Sequence, residues 1–298
     1  GVLGFGVIAG GVDVVNWGRV VNVVLSWVIS PVMGGLFAYL VFQYINKAIF
    51  STRRPLAHAK ELLPFIVSVV FFILSIAVCY KGLKNLHLDL EVSNVLLIAF
   101  VMGTLGFFLS KVLVRYIPDD DSKDFAHQFN TTENLFKYLQ ILTAFYIAFA
   151  HGSNDVANAV GPLAAVVSIL DGGVVGMKVA MPIWILGLGG GFIVFGLMVW
   201  GYRVMATVGE NITDITPSRG FCATFGAASV VLICSKMGLP ISTTHTLVGS
   251  IIGVGLARGL PTLNLGIIKM IFISWVTTIP FTAIISMIFF KAFLLFLP

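Results

Sequence analysis

The sequence predicts an all-α, multi-spanning membrane protein with inverted repeats and broken or re-entrant helices. Three observations carry that reading. Of 298 residues, 58% are hydrophobic and only 10% charged, where a soluble domain carries roughly 25% charged residues. Mean hydropathy is +1.01, so the chain could not cover itself with a polar surface in water. The apolar residues also gather into runs close to the roughly 20 residues that cross a bilayer as helix, and two of these runs resemble each other.

The runs lie at 20–44, 62–80, 92–114, 135–150, 179–200, 221–234 and 265–297. Some are short and one is long, which predicts tilts, kinks and re-entrant pieces rather than identical rods. A further apolar, glycine-rich stretch, Gly1 to Gly11, precedes the first run.

Net charge is +5. In a soluble chain that excess would suggest nucleic acid. Here the cations sit at helix ends, so no nucleic-acid partner is predicted and the lipid bilayer is. Lys47, Arg53, Arg54 and Lys60 fill the first loop, and Lys111, Arg115 and Lys123 the third. Between them, Lys81 and Lys84 are balanced by Asp89 and Glu91. Alternate basic loops are the positive-inside pattern. They place residues 51–60 and 115–132 in the cytoplasm and 81–91 outside, in a multi-pass plasma-membrane protein. Asp119-Asp120-Asp121 reads as a solvated loop. Cys79, Cys222 and Cys234 stand in apolar surroundings without CxxC or Cys/His spacing. They read as small buried side chains, not as disulfides or metal ligands.

Ser26-Trp27-Val28 followed by Pro31 is repeated as Ser274-Trp275-Val276 followed by Pro280, and Gly4-Phe5-Gly6 as Gly253-Val254-Gly255. The offsets differ by one residue. Weak repeats in an apolar chain are a mark of transporter folds. The second copy has a long apolar sequence before Gly253, whereas the first has three residues before Gly4. The first copy is therefore expected to lack its front portion. The repeat divides the chain into residues 1–48, the tail end of a first inverted repeat; 49–133, connecting helices and a cytoplasmic loop; and 134–298, a second repeat.

Two polar breaks interrupt that second repeat. The first is His151-Gly152-Ser153-Asn154-Asp155-Val156-Ala157-Asn158-Ala159-Val160-Gly161-Pro162. An Asp at membrane depth costs roughly 2.5–3.5 kcal/mol even on lenient insertion scales. Such a cluster is tolerated where it lines a cavity or is buried in protein. Ser153, Asn154 and Asp155 are good N-caps, which predicts a broken helix restarting near Val156. Asn154 and Asn158, four apart, share a helix face. The second break is Gly238-Leu239-Pro240-Ile241-Ser242-Thr243-Thr244-His245-Thr246. Pro240 ends one element and Ser242, Thr243 and Thr244 offer hydroxyls at the start of the next, a ready anion site. Neither break holds Lys or Arg, the nearest being Lys236. Asp155 would repel an anion unless a cation lay between them, so cation coupling is expected. His151 and His245 read as packing residues. The run Gly187-Leu188-Gly189-Gly190-Gly191 lacks a strand–helix context and reads as close helix packing, not a phosphate loop.

At these two breaks, HGSNDVANAVGP (151–162) and LPISTTH (239–245), the sequence resembles the inorganic phosphate transporter (PiT) family. The resemblance implies phosphate symport with sodium or, in some branches, protons, and two inverted repeats that share one central site. Carried over by position, it implies that Asn154, Asp155, Ser242, Thr243 and Thr244 contact phosphate. It further implies that Asp155, Asn158 and Ser153 hold sodium as the coupling ion, and it suggests a homodimer. Val156-Ala157-Asn158-Ala159 leans toward the sodium-coupled branch. The family carries an NDxAN-type motif in its first repeat too, and residues 1–48 of this sequence hold none. No nucleophile–base pair or metal triad is visible, so no enzyme activity and no further cofactor are expected. The rivals are a sulfate or proton-coupled carrier of the same fold, and a channel or non-transporting receptor. Two local breaks suit a carrier better than a channel's continuous polar stripe.

Overall fold

The structure, a computed structural model, describes residues 1–82, 90–117, 124–170 and 182–296. The expected loop centred on Lys84 and Asp89, the Asp119–Asp121 run with Lys123, the start of the fifth predicted span at 179–181, and residue 297 lie outside them. The described residues are helical with no strand. In chain order the helices are α1 (Val2–Gly10), α2 (Trp17–Ile45), α3 (Pro55–Ala77), α4 (Val92–Arg115), α5 (Phe125–Leu170), α6 (Ile183–Glu210), α7 (Pro217–Lys236), α8 (Thr243–Arg258) and α9 (Leu265–Phe296). Seven are long and apolar enough to cross a bilayer. α8, with 16 residues, spans about 24 Å at 1.5 Å per residue, short of the roughly 30 Å hydrocarbon layer.

The core lies where α2, α5, α7 and α8 meet, around Phe136, Tyr146, Phe221, Val231, Val248 and Ile251. α7 is the most enclosed of the spans. By contrast α4, α6 and α9 turn apolar side chains such as Phe100, Phe192 and Phe289 outward. In water those faces would aggregate; in lipid they are the solvent-exposed surface.

The internal repeat extends to the helix caps. Gly11 ends α1 at φ 86° and Gly259 ends α8 at φ 112°, both in the left-handed region open to glycine. A single 3-10 turn follows each, Val12–Val14 and Leu260–Thr262. Asn16 Oδ1 then accepts from the Arg19 N–H at 3.1 Å to open α2, and Asn264 Oδ1 accepts from the Ile267 N–H at 3.2 Å to open α9. Each short helix packs on the long helix of the other copy: α8 on α2, and α1 on α9. Small residues make both crossings. A Cβ at Gly253 would fall on the backbone of Gly35, and one at Gly4 on the backbone of Ala283. These are matching positions of the two copies, because Gly4 corresponds to Gly253 and Gly35 to Ala283.

Two expectations about α5 are corrected. Residues 125–132 are not loop. Thr131 and Thr132 turn their hydroxyls onto the carbonyls of His127 and Gln128, and Thr132 and Gln128 are buried, so this polar stretch is helical. Nor does the chain break at Ser153-Asn154-Asp155; α5 runs on through the motif. The Ser153 hydroxyl donates back to the Ala150 carbonyl at 3.0 Å, inside the helix, instead of capping a new one. The second break is found as expected. α7 stops at Lys236, Gly238 takes φ 71°, and α8 starts at Thr243 with Ser242 as N-cap.

Glu133, which stood out in no sequence pattern, ties the start of α5 to the start of α7. Its Oε2 accepts from the Ser218 N–H at 2.9 Å, and its Oε1 from the hydroxyls of Ser218 at 2.8 Å and Thr216 at 3.0 Å. Glu133 is thus an N-cap supplied from another helix. Glu133→Ala is expected to cost about 1–3 kcal/mol, read as a lower thermal midpoint of the purified protein. An unchanged midpoint would show the bonds to be replaceable by water.

Candidate functional site

The two polar stretches converge on the carboxylate of Asp155. Thr243, the first residue of α8, donates its hydroxyl to Asp155 Oδ2. His151, one turn earlier on α5, places Nε2 at 2.8 Å from the same oxygen, within hydrogen-bond distance. Asn154 Nδ2 donates to Asp155 Oδ1 at 3.2 Å and to the Ile241 carbonyl at 3.4 Å. Asn158 Nδ2 donates to Asp155 Oδ1 at 3.4 Å. Ser235 Oγ, at the end of α7, donates to Asn154 Oδ1 at 3.5 Å. The carboxylate is half-buried and sits among amide and hydroxyl groups, with no Lys or Arg hydrogen-bonded to it among the described residues.

The start of α8 is held from the other side by α2. The Ser242 N–H donates to Ser30 Oγ at 3.3 Å, while Ser242 Oγ accepts from the His245 N–H at 3.3 Å and caps the helix. Thr246 donates its hydroxyl to the Ser242 carbonyl at 2.7 Å. The unbonded N–H groups of a helix's first turn, with their dipole, favour an anion.

His245 is stacked on Trp275 with ring centroids 3.7 Å apart, and Trp27 meets it edge-on at 6.4 Å. The two tryptophans are the repeated ones, so both copies of the repeat close on the residue that follows the hydroxyl run. His245 Nδ1 is buried and has no hydrogen-bond partner among the described residues.

Of the predicted residues, Asn154, Asp155, Asn158 and Thr243 are brought together, and Ser242 caps the helix beside them. Ser153 is not part of the cluster, since its hydroxyl is used by Ala150. Thr244 is exposed on another face of α8, where it lines a 330 Å³ cavity with Arg203, Thr207, Ser274 and Trp275. His151, Ser30 and Ser235 complete the arrangement and were not singled out as site residues. His151, read from the sequence as a packing residue, had two signals: its place at the head of the 151–162 motif and its four-residue spacing from Asp155.

Residues 1–286 match the model of the phosphate transporter family. A proposed phosphate permease of Pyrococcus horikoshii is 44% identical over 296 residues, which cover 99% of this chain and 71% of the relative. One from Haemophilus influenzae is 43% identical over 295 residues, covering 97% and 69%. A solved structure described as "The sodium-dependent phosphate transporter" superposes with a TM-score of 0.87 at 41% identity, over 99% of this chain and 71% of that one. The chain, an all-α protein with several membrane-spanning helices, belongs to the phosphate transporter family.

Proposed function

We propose that this chain is a sodium-coupled symporter of inorganic phosphate that works by alternating access in the plasma membrane. The observation that carries the reading is the bond between Thr243 and Asp155. It joins a carboxylate, which suits a cation, to a hydroxyl-rich helix start, which suits an anion. The solved sodium-dependent relative supports the choice of ion.

Asp155, with Asn158, is the proposed sodium locus. In the structure Asn158 turns its amide N–H toward the carboxylate. A half-turn of that amide presents its oxygen instead, and oxygen donors are what a hard cation takes. Bound sodium neutralises Asp155 and lets phosphate approach the hydroxyls of Thr243 and Ser242, the first amides of α8, and Asn154. Hydrogen phosphate can donate a hydrogen bond to Asp155, which sulfate cannot. Ser153 and Thr244 remain proposed contacts only if α5 and α8 rearrange, since neither now faces the cluster.

Residues 1–48 and 134–298 are proposed as parts of the two repeats, joined by 49–133. The matching caps and exchanged packing of α1, α2, α8 and α9 support this division. The basic loop 51–60 and the segment from 115 are proposed to face the cytoplasm. Their shared location supports that: Phe50 packs on Phe129 at 5.1 Å, and the Lys60 ammonium donates to the Ile117 carbonyl at 2.6 Å.

The test is uptake of radiolabelled phosphate into proteoliposomes with and without an inward sodium gradient. Gradient-driven uptake that excess sulfate leaves intact is expected. Uptake indifferent to sodium, or blocked by sulfate, would overturn the coupling or the substrate respectively. Asn158→Ala is expected to raise the sodium concentration for half-maximal uptake roughly tenfold, the equivalent of one ion-linked hydrogen-bonding group. An unchanged sodium dependence would remove Asn158 from the cation locus.

A further inference from the structure

The helical hairpin of α3 and α4 carries a cavity with basic lining, far in sequence from the Asp155 cluster. The two helices are close where glycine permits it: a Cβ at Gly106 would press on the Phe71 ring, and one at Gly103 on Ser68 and Phe72. Toward the start of α3 and the end of α4 larger side chains keep them apart and leave a 520 Å³ cavity. Its lining includes Lys60, Lys111 and Arg115, one carboxylate, Glu61, and the rings of Phe65 and Phe107.

The arrangement has a level structure. Lys111 and Arg115 are four residues apart and share a face of α4, and both are exposed. The Lys111 ammonium lies 5.7 Å from the centroid of Phe107. Lys60 donates to the Ile117 carbonyl at 2.6 Å, which fixes the end of α4 over the start of α3. Phe65 and Phe107 pack edge to face at 5.0 Å on the apolar side. Tyr116, 82% exposed, stands at the same helix end, where interfacial aromatics mark the headgroup level. The two exposed cations, Lys111 and Arg115, with an aromatic wall below them, match an anionic headgroup with its acyl chain lying along the protein.

We propose that this cavity binds the headgroup of an anionic phospholipid, with Lys111 and Arg115 on the phosphate and Phe65 and Phe107 against the chain. Basic pockets between membrane helices are suited to such lipids. α4 packs chiefly on α3, so a lipid held here would pin the outermost helix of the hairpin. Nothing in the proposal depends on sodium or on phosphate transport.

Lipid binding can be followed by native mass spectrometry of the detergent-purified protein titrated with phosphatidylglycerol or, as a neutral control, phosphatidylcholine. The parent protein is expected to retain phosphatidylglycerol in preference to phosphatidylcholine. The double variant Lys111→Gln, Arg115→Gln is expected to bind it roughly thirtyfold more weakly, the loss of about two surface cations. Arg203→Gln, which removes a cation on α6 outside the cavity, should bind as the parent does. Equal retention by the parent and the double variant would overturn the proposal. So would displacement of the bound lipid by millimolar inorganic phosphate, which would make the cavity a site for the free anion. Because the two changed residues are exposed, a thermal midpoint equal to the parent's in neutral lipid is expected. A collapsed midpoint there would also count against the proposal, since it would make these cations structural.

Discussion

Asp155→Asn is expected to abolish sodium-driven phosphate uptake, by at least roughly a hundredfold. The change keeps the size of the side chain and an oxygen for Thr243 to bond. It removes the charge that sodium would neutralise and puts an amide N–H toward His151 or Asn158. A half-buried carboxylate held by several donors is there for its charge, and removing one partner from such a group costs about 3–5 kcal/mol. That corresponds to about two to four decades in an equilibrium constant. Uptake by this variant at the parent's rate would remove Asp155 from the transport site. Thermal melting of the same preparation separates lost function from lost fold.

Gly253→Val is expected to prevent the protein from assembling at all. A Cβ at 253 would lie on the backbone of Gly35, and backbone cannot move aside as a flexible side chain can. Overpacking a well-packed interior usually costs about 1–3 kcal/mol, and a backbone clash between two helices belongs at or above the top of that range. The α2–α8 crossing also positions Ser30 against Ser242, so a displaced α8 would lose its link to α2. A monodisperse variant that melts at the parent's temperature would show that the helices can separate at no cost. Gly152, where a Cβ would meet open space, is the control expected to tolerate alanine in the fold.

How legible the site was varied with the kind of chemistry. The break before α8 could be read because Gly238 and Pro240 act on the local backbone, and Ser242 caps the helix that follows it. The break in α5 was read the same way and is absent, because the same residue types had other uses. Ser153 bonds its own helix, and Asn154, Asp155 and Asn158 find partners in α7, α8 and each other. Their polarity was a signal of tertiary contact, not of helix termination. Ser30 was illegible for a related reason. It meets Ser242 across 212 residues of sequence, and one serine in an apolar run carries no mark of its partner. The repeat, by contrast, was understated. Two short matches in sequence became an equivalence of caps and helix crossings, and the repeated tryptophans met on His245.

The central claim is that one cluster couples a cation to an anion. It is tested most directly by the phosphate affinity of the purified protein, measured calorimetrically in sodium and in choline at equal ionic strength. Coupling free energies of about 1–3 kcal/mol are typical and act reciprocally. Sodium should therefore tighten phosphate binding roughly tenfold, and saturating phosphate should tighten sodium binding by the same factor. Phosphate binding of equal strength in sodium and in choline would contradict the account.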